Sequence, residues 1–485
     1  MNVKKKSATH RRLRRRTDII HGEEDFRPQE MVPWFHPVEM ARTAIRVILA
    51  KAVTTYSDSR LSMSGASTGA RGFESTFGPK EEGQADGVAW DPTRDVIDMR
   101  LEGDEDGFWF DYVADLGEGF DSTYAVACLL GRERLPVDGL ERTLPRGRLL
   151  VLGGDMVYPW PSREAYRDRF QVPYRWALPG VEGREAEEGE GVGQVLAKMA
   201  AIPGNHDWYD GLNTFLEVFC DGRRVGGWDT EQRRSYFAAL LPHDWMLWGT
   251  DSHLNHRTDH NQRAYFRSIA LDEETGDKVI LCTPTPAWLQ PWGEARRNIR
   301  EFEEEVVRWP GAGDKEPLAL PVVVSGDLHF YARYEKLPPD PEEDDGKQDD
   351  TVRHRIICGG GGAYTRGTQD LPDAISLYER PDDAGAGGAG DAGGSRGLDR
   401  RIRPLRRYAF AGPGYPDRHL SRNLALGALQ FPFWRHNLPY CGAFGAILVA
   451  VTGIVQWTSM VEPGVRPYLD YLRGLGANPF TALGT

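Results

Sequence analysis

Met199–Asp207 reads MAAIPGNHD. Four apolar residues are followed by a Pro-Gly turn and then by an amide, an imidazole and a carboxylate in direct succession. A short apolar run bounded by turn residues reads as a buried strand, and the polar groups sit at its carboxyl end. The same arrangement recurs on both sides. Upstream, Leu149–Leu152 (LLVL) ends at Gly153-Gly154-Asp155, and Phe108–Ala114 (FWFDYVA) runs into Asp115-Leu116-Gly117. Downstream, Val322–Val324 leads to Ser325-Gly326-Asp327-Leu328-His329. Further strands are expected at Trp245–Trp248, Val279–Cys282, Phe330–Tyr334 and Ile356–Cys358. Helices are expected at Thr123–Leu130, capped by Asp121 or Ser122, and at Arg297–Val307. Apolar strands alternating with helical segments predict an α/β fold with a buried sheet. Open α/β folds place their sites at the carboxyl ends of strands.

The groups at these strand ends suit one kind of chemistry. Attack on a phosphate ester requires a nucleophilic hydroxide and neutralisation of the phosphoryl oxygens, and a pair of cations about 3.5–4 Å apart supplies both. Such a pair needs a bridging carboxylate with oxygen and imidazole ligands around it. Asp115, Asp155, Asn205, His206, Asp327 and His329 provide these groups, each beside a glycine that lets the chain turn sharply.

The ordered set D-x-G, G-D-x-x-Y, G-N-H-D and G-D-x-H resembles the calcineurin-like metallophosphoesterase superfamily, and in pattern the purple acid phosphatase branch most closely. The resemblance covers Phe108 to Tyr364. It implies a two-sheet sandwich flanked by helices and a centre of two divalent metal ions (Mn, Fe, Zn or Mg). A metal-bound hydroxide would attack the phosphate ester directly. By position, Asp155 resembles the bridging carboxylate, Asp115 and His329 ligands of the first metal, and Asn205 a ligand of the second. Tyr158 matches the tyrosine that binds ferric iron in the purple enzymes, and His206 the histidine at the phosphate and leaving group. Asp207 is expected to orient a ligand rather than to bind metal.

Two departures stand out. The first histidine of the family's G-H-x-H is Asp327 here, a carboxylate that still suits a hard or borderline metal. The family's lone histidine has no counterpart after Val279–Cys282, where the chain reads Thr283-Pro284-Thr285-Pro286. His253 and His256 are the nearest substitutes. Both departures keep a second reading open: a catalytically degenerate, membrane-tethered binding or scaffold protein on the same fold. Pyrophosphates and lipid-linked phosphates are further substrate classes. Trp208, Tyr209 and Trp288 either line the mouth or pack. Gly359–Gly362 lacks the Lys-Ser/Thr of a phosphate-cradling loop and reads as close backbone approach.

The rest of the chain sets the frame. A formal net charge of -13 over 485 residues argues against a nucleic-acid partner for the whole molecule. The five cysteines lack paired spacing and read as reduced. The expected organisation is a basic disordered tail at 1–30, a helical extension with loops at 31–100 and a catalytic core at 101–380. A Gly-rich linker at 381–400 and a C-terminal segment at 401–485 follow. Val38–Ala52 has the spacing of an amphipathic helix, placed on the core or on a membrane surface. Leu438–Trp457 (LPYCGAFGAILVAVTGIVQW) carries no charge over 20 residues and reads as membrane-spanning, the alternative being a buried helix of the fold. Arg418, Arg422 and Arg435 precede it, so the positive-inside bias predicts a cytoplasmic core anchored to the inner face of a membrane. Substrate identity and oligomeric state are not legible in the sequence.

Overall fold

The computed structural model describes residues 26–56, 95–103, 107–179, 197–252, 258–289, 301–307, 309, 317–338, 352–378 and 404–461. Leu149–Leu152 (β5) shows why the chain folds as it does. All four of its residues are buried, and a strand's side chains alternate between faces. Leu149 and Val151 face one apolar layer, whereas Leu150 and Leu152 face another. A strand covered on both sides must be apolar throughout.

Three layers of core follow from this alternation. Between the sheets, Leu149, Val151, Ala200 and Ile202 meet Phe237, Leu247, Ile280 and Cys282. Outside the smaller sheet, Leu150, Leu152 and Met199 pack on Tyr166, Phe170, Phe215 and Phe219. Outside the larger sheet, Trp248, Leu281 and Val323 pack on Tyr265, Phe266 and Phe302. The molecule is therefore mixed α/β, as the sequence predicts, with apolar layers between its two sheets and on their outer faces.

The smaller sheet has the order β2 (Phe110–Val113), β5, β6 (Ala197–Ala201), β8 (Trp228–Thr230), β7 (Arg224–Val225), and β2, β5, β6 and β8 run parallel. A separate two-stranded ribbon joins β3 (Arg134–Leu135) to β4 (Leu144–Pro145). The larger sheet begins with β1 (Ile97–Asp98), β9 (Phe237–Leu241), β10 (Trp245–Gly249), β11 (Lys278–Thr283) and β12 (Ala319–Ser325). It continues through β14 (His354–Cys358), β13 (Tyr331–Lys336), β16 (Pro404–Phe410) and β15 (Ala374–Tyr378). The helices used below are α1 (Pro37–Tyr56), α2 (Phe120–Leu130), α3 (Arg163–Tyr166), α4 (Val172–Ala177), α5 (Asn213–Phe219), α6 (His260–Ala270), α7 (Arg418–Gly427) and α8 (Leu438–Val461).

Four expectations are corrected. Helix α2 starts earlier than expected, after Gly119, with no side-chain cap; Asp121 lies inside its first turn. Strand β16 inserts between β13 and β15, so residues 404–410 belong to the core sheet and the core does not end at 380. The expected linker at 381–400 and most of the expected basic tail lie outside the described residues. The end of that tail is packed rather than loose: Phe26 lies against Phe120 and Trp176, and the Gln29 carbonyl accepts from Phe120 N–H.

The fourth correction concerns the expected membrane span. Leu438–Trp457 does form a helix, within α8. Among the described residues, however, no helix is long and apolar enough to cross a membrane. Nor is α8 a buried helix: Phe444, Ile447, Leu448, Val449, Val451 and Ile454 are exposed. Its first turns meet the N-terminal segment, where Phe35 packs edge-on against Phe431 and Tyr440.

One buried ion pair ties helix to sheet. Arg355 of β14 bonds Glu303 at 3.1 and 2.7 Å, both buried, with the guanidinium over the Tyr408 ring. Removing one partner leaves an uncompensated buried charge. Glu303→Ala is expected to lower the free energy of urea unfolding by about 3–5 kcal/mol. A loss under ~1 kcal/mol, the scale of an exposed pair, would show that the pair is solvated in solution.

Candidate active site

The parallel strands β2, β5 and β6 deliver their carboxyl ends to one rim of the smaller sheet. Asp115 follows β2, Asp155 follows β5, and Asn205 and His206 follow β6. The larger sheet brings Asp327 and His329 to the same place after β12. Asp327 N–H donates to Asp115 Oδ1 at 3.2 Å, and His329 Nε2 lies 3.9 Å from that oxygen. Backbone bonds lace the tips together: Asp115 N–H to Gly154 O, Leu116 N–H to Asp155 O, and Gly361 N–H to Ala114 O.

The backbone is strained at these tips. Among the described residues, positive φ outside glycine occurs at Asp115, Asp155, Asp327 and His329, and otherwise only at Leu212, His243 and Asp244. Such conformations cost about 1–3 kcal/mol each and persist where the surroundings over-determine them. Two glycines allow the close approach. A Cβ on Gly204 would stand 2.0 Å from Asp155 Oδ1, and one on Gly359 would stand 2.2 Å from Asp115 Oδ2. Neither position tolerates a side chain without displacing a carboxylate.

Tyr158 sits at the centre of the cluster. Its buried hydroxyl lies 3.0 Å from Asp155 Oδ2, 3.3 Å from Asp115 Oδ1 and 3.1 Å from His329 Nε2. One proton cannot serve three acceptors. His329 adds none, because its Nδ1–H donates to the Tyr364 carbonyl at 2.9 Å; the neutral ring then presents a bare Nε2 to the cluster. Asp115 Oδ2 is buried without a hydrogen-bond partner. The pocket thus gathers acceptors in excess of donors.

Electrostatics point the same way. Burial, then the charges of Asp155 and Asp327, hold Asp115 well above the usual carboxylate range. Burial, then Asp327, pushes Asp155 up to about 7. Clustered carboxylates cannot all ionise without a cation. The donor set is rich in oxygen with one imidazole, which suits hard or borderline divalent ions. The chemistry of the residues present therefore fits the implied metal, although among the described residues no group of three or more His, Cys, Asp and Glu side chains is arranged so that it could hold a metal ion as it stands.

Asp207 takes the orienting part expected of it. Its buried carboxylate accepts from the N–H groups of Asp155, Met156 and Gly204 at 2.9, 3.1 and 2.8 Å, and from the Tyr166 hydroxyl at 2.5 Å. One side chain thereby fixes the loops after β5 and β6 relative to each other. Burial and the Asp155 charge push it up to about 8, against the pull of those donors. Asn205 donates its amide N–H to the Tyr209 hydroxyl at 2.9 Å, so its carbonyl oxygen is the end not engaged there. His206 Nδ1–H donates to the Pro159 carbonyl at 2.9 Å, and burial pushes the ring down to about 4.

Other residues complete the site unannounced by the sequence. Where the lone histidine was expected, Thr285 donates to Asp327 Oδ2 at 2.8 Å; a hydroxyl supports the carboxylate in place of an imidazole. His253 and His256 lie outside the described residues. Trp208 is packing, buried with its N–H on Asp251, and Trp288 belongs to the core around Tyr334. Tyr209, by contrast, does reach the site. Glu118 is buried and accepts from the Tyr364 N–H at 2.6 Å and from Trp34 Nε1 at 2.5 Å. It anchors the loop that holds His329 and draws the N-terminal segment over the site, where Trp34 meets Tyr158 and His206.

No family model matches the chain, and no curated protein matches it. Among solved structures, a structure of PhoD aligns at 10% identity and a TM-score of 0.30, covering 52% of this chain and 56% of that one. The alignment thus spans about half the length of each protein, and so distant a likeness says nothing about residues or chemistry.

Proposed function

We propose that the protein is a metal-dependent hydrolase of phosphate esters, of the calcineurin-like metallophosphoesterase type. The observation that carries this reading is the meeting of Asp115, Asp155, Tyr158, Asp327 and His329 at loop tips from both sheets, with acceptors in excess and one carboxylate oxygen unpartnered. Asp115, Asp155 and His329, with the Tyr158 phenol, would hold one divalent cation. Asp155, Asn205 and Asp327 would hold a second. When bound, the pair supplies Lewis acidity at the phosphoryl oxygens and lowers the pKa of water.

The protein's own groups then have distinct tasks. Asp155 would be the carboxylate shared by the two ions, and it keeps its orientation through the His206 backbone N–H at 2.9 Å. Asp207 fixes the two loops that carry Asp155 and Asn205. His206 flanks the leaving group. Because burial keeps its ring neutral, it acts as a proton donor only once the phosphate's charge raises its pKa; until then Nε2 is an acceptor. Tyr158 and Trp34 limit water on the buried side.

The test is elemental analysis of the purified full chain, with hydrolysis of a broad phosphoester panel under added manganese. We expect about two metal ions per chain and turnover that chelation abolishes and manganese restores. A protein that folds normally without metal, binds none and hydrolyses no ester would instead be a scaffold on the same fold.

A further inference from the structure

Two aromatic rings from distant parts of the chain stand edge-on to the same imidazole. The Trp34 ring centroid lies 6.0 Å from that of His206 at 67°, and Tyr209 lies 5.1 Å from it at 70°. Neither ring belongs to an apolar core cluster, and both are half-buried. Each is instead positioned by a polar handle. Trp34 Nε1 bonds the buried Glu118, and the Tyr209 hydroxyl accepts from Asn205. The same Glu118 carboxylate also holds the Tyr364 N–H, so the half-buried indole is tied to the loop that holds His329.

Tyr209 is braced from outside. Trp160 stacks on it at 5.1 Å and 18°, and the exposed Arg46 of α1 lies over Trp160 at 5.0 Å. The brace links the N-terminal helix to the loop after β6. Stiff, half-exposed aromatic faces recognise flat π-systems with little loss of conformational freedom.

We infer that Trp34 and Tyr209, braced by Trp160 and Arg46, receive a flat aromatic leaving group beside His206, so that the preferred substrates are phosphate esters of planar aromatic alcohols. This rests on the hydrolase reading above. The reaction is hydrolysis: the phosphorus–oxygen bond to the aromatic alcohol breaks, one to a water oxygen forms, and the aromatic alcohol leaves with a proton.

The experiment uses the full-length protein with two probes, 1-naphthyl phosphate and ethyl phosphate. Turnover is measured with manganese, and binding to the chelated protein is measured by calorimetry. The ratio of kcat/KM for naphthyl over ethyl ester is expected to fall about tenfold in Trp34→Leu, the scale of one lost aromatic contact. It should recover most of the way in Trp34→Phe and fall less in Trp160→Leu. Calorimetry should show naphthyl phosphate binding weakened about tenfold by Trp34→Leu, and ethyl phosphate affected less. Equal losses for both esters, or no change in the ratio, would overturn the inference and give Trp34 a merely structural part. Naphthyl phosphate bound but never hydrolysed would leave the aromatic receptor standing and remove the hydrolase reading instead.

Discussion

Asp155→Asn is expected to lower kcat on any accepted phosphate ester by about three orders of magnitude, the upper end of what removing one preorganised electrostatic group costs. The substitution isolates charge from shape. An asparagine keeps an oxygen that can accept the His206 N–H, now at 2.9 Å from Asp155 Oδ1. It also keeps the backbone N–H that Asp207 holds at 2.9 Å. What it removes is the negative charge facing both proposed cation positions. The loss should therefore appear in kcat at saturating manganese, with manganese affinity reduced as well. Far-ultraviolet circular dichroism should be unchanged. Turnover within tenfold of the unmodified protein would mean that Asp155 bridges nothing.

The strand ends were readable because burial on both faces forces an apolar strand to be unmistakable. LLVL at 149–152 and MAAI at 199–202 are short and are closed by Gly-Gly and Pro-Gly turns, which mark each as a strand with its first polar residue at the rim. The convergence of those rims was implied by the order of the motifs, but the left-handed backbone of Asp115, Asp155, Asp327 and His329 was not. Nothing in a sequence marks a carboxylate as strained; the strain exists only once neighbouring loops compete for the same space. Strand β9 has no such signal, because FAALL at 237–241 is equally good helix sequence, and only its pairing with β1 and β10 decides the matter. The place of β16 was hidden in the same way, since sheet membership across a long Gly-rich stretch is a non-local property.

The N-terminal segment teaches the sharper lesson. Spacing at Val38–Ala52 gave the helix, but periodicity says nothing about what a helix covers. Trp34 and Arg46 reach the site through Glu118 and Trp160, contacts of long sequence separation with no local signature. The missing histidine is the converse case. Its absence after β11 was plain, yet its replacement by the Thr285 hydroxyl on Asp327 required the two loops to be seen together.

The metal-free protein should become less stable as pH rises from about 4 to about 7, and the bound cation should reverse that trend. Asp155 is held at about 7 in the folded state by burial and by Asp327, against about 3.9 in an unfolded chain. A folded pKa above the unfolded one means that the native state retains a proton which the unfolded state has released. Stability is then fully present below the unfolded pKa and is lost as pH climbs toward the folded one. Three pH units at about 1.4 kcal/mol each make this a few kcal/mol; Asp115 and Asp207, displaced in the same direction, add to it and outweigh His206 and His329, whose lowered pKa values act with the opposite sign over part of the window. Divalent cations bind the ionised carboxylates, so their stabilisation grows over the same window as protons leave. In chelator the melting temperature should fall between pH 5 and pH 8; with saturating manganese the fall should shrink or invert. Asp155→Asn supplies the internal check, because it deletes the titrating charge while keeping the fold. At pH 8 in chelator it should melt above the unmodified protein, and with manganese below it. A variant that is less stable under both conditions would mean that Asp155 serves the fold rather than a cation, since only a site built around positive charge gains stability when its own carboxylate is neutralised.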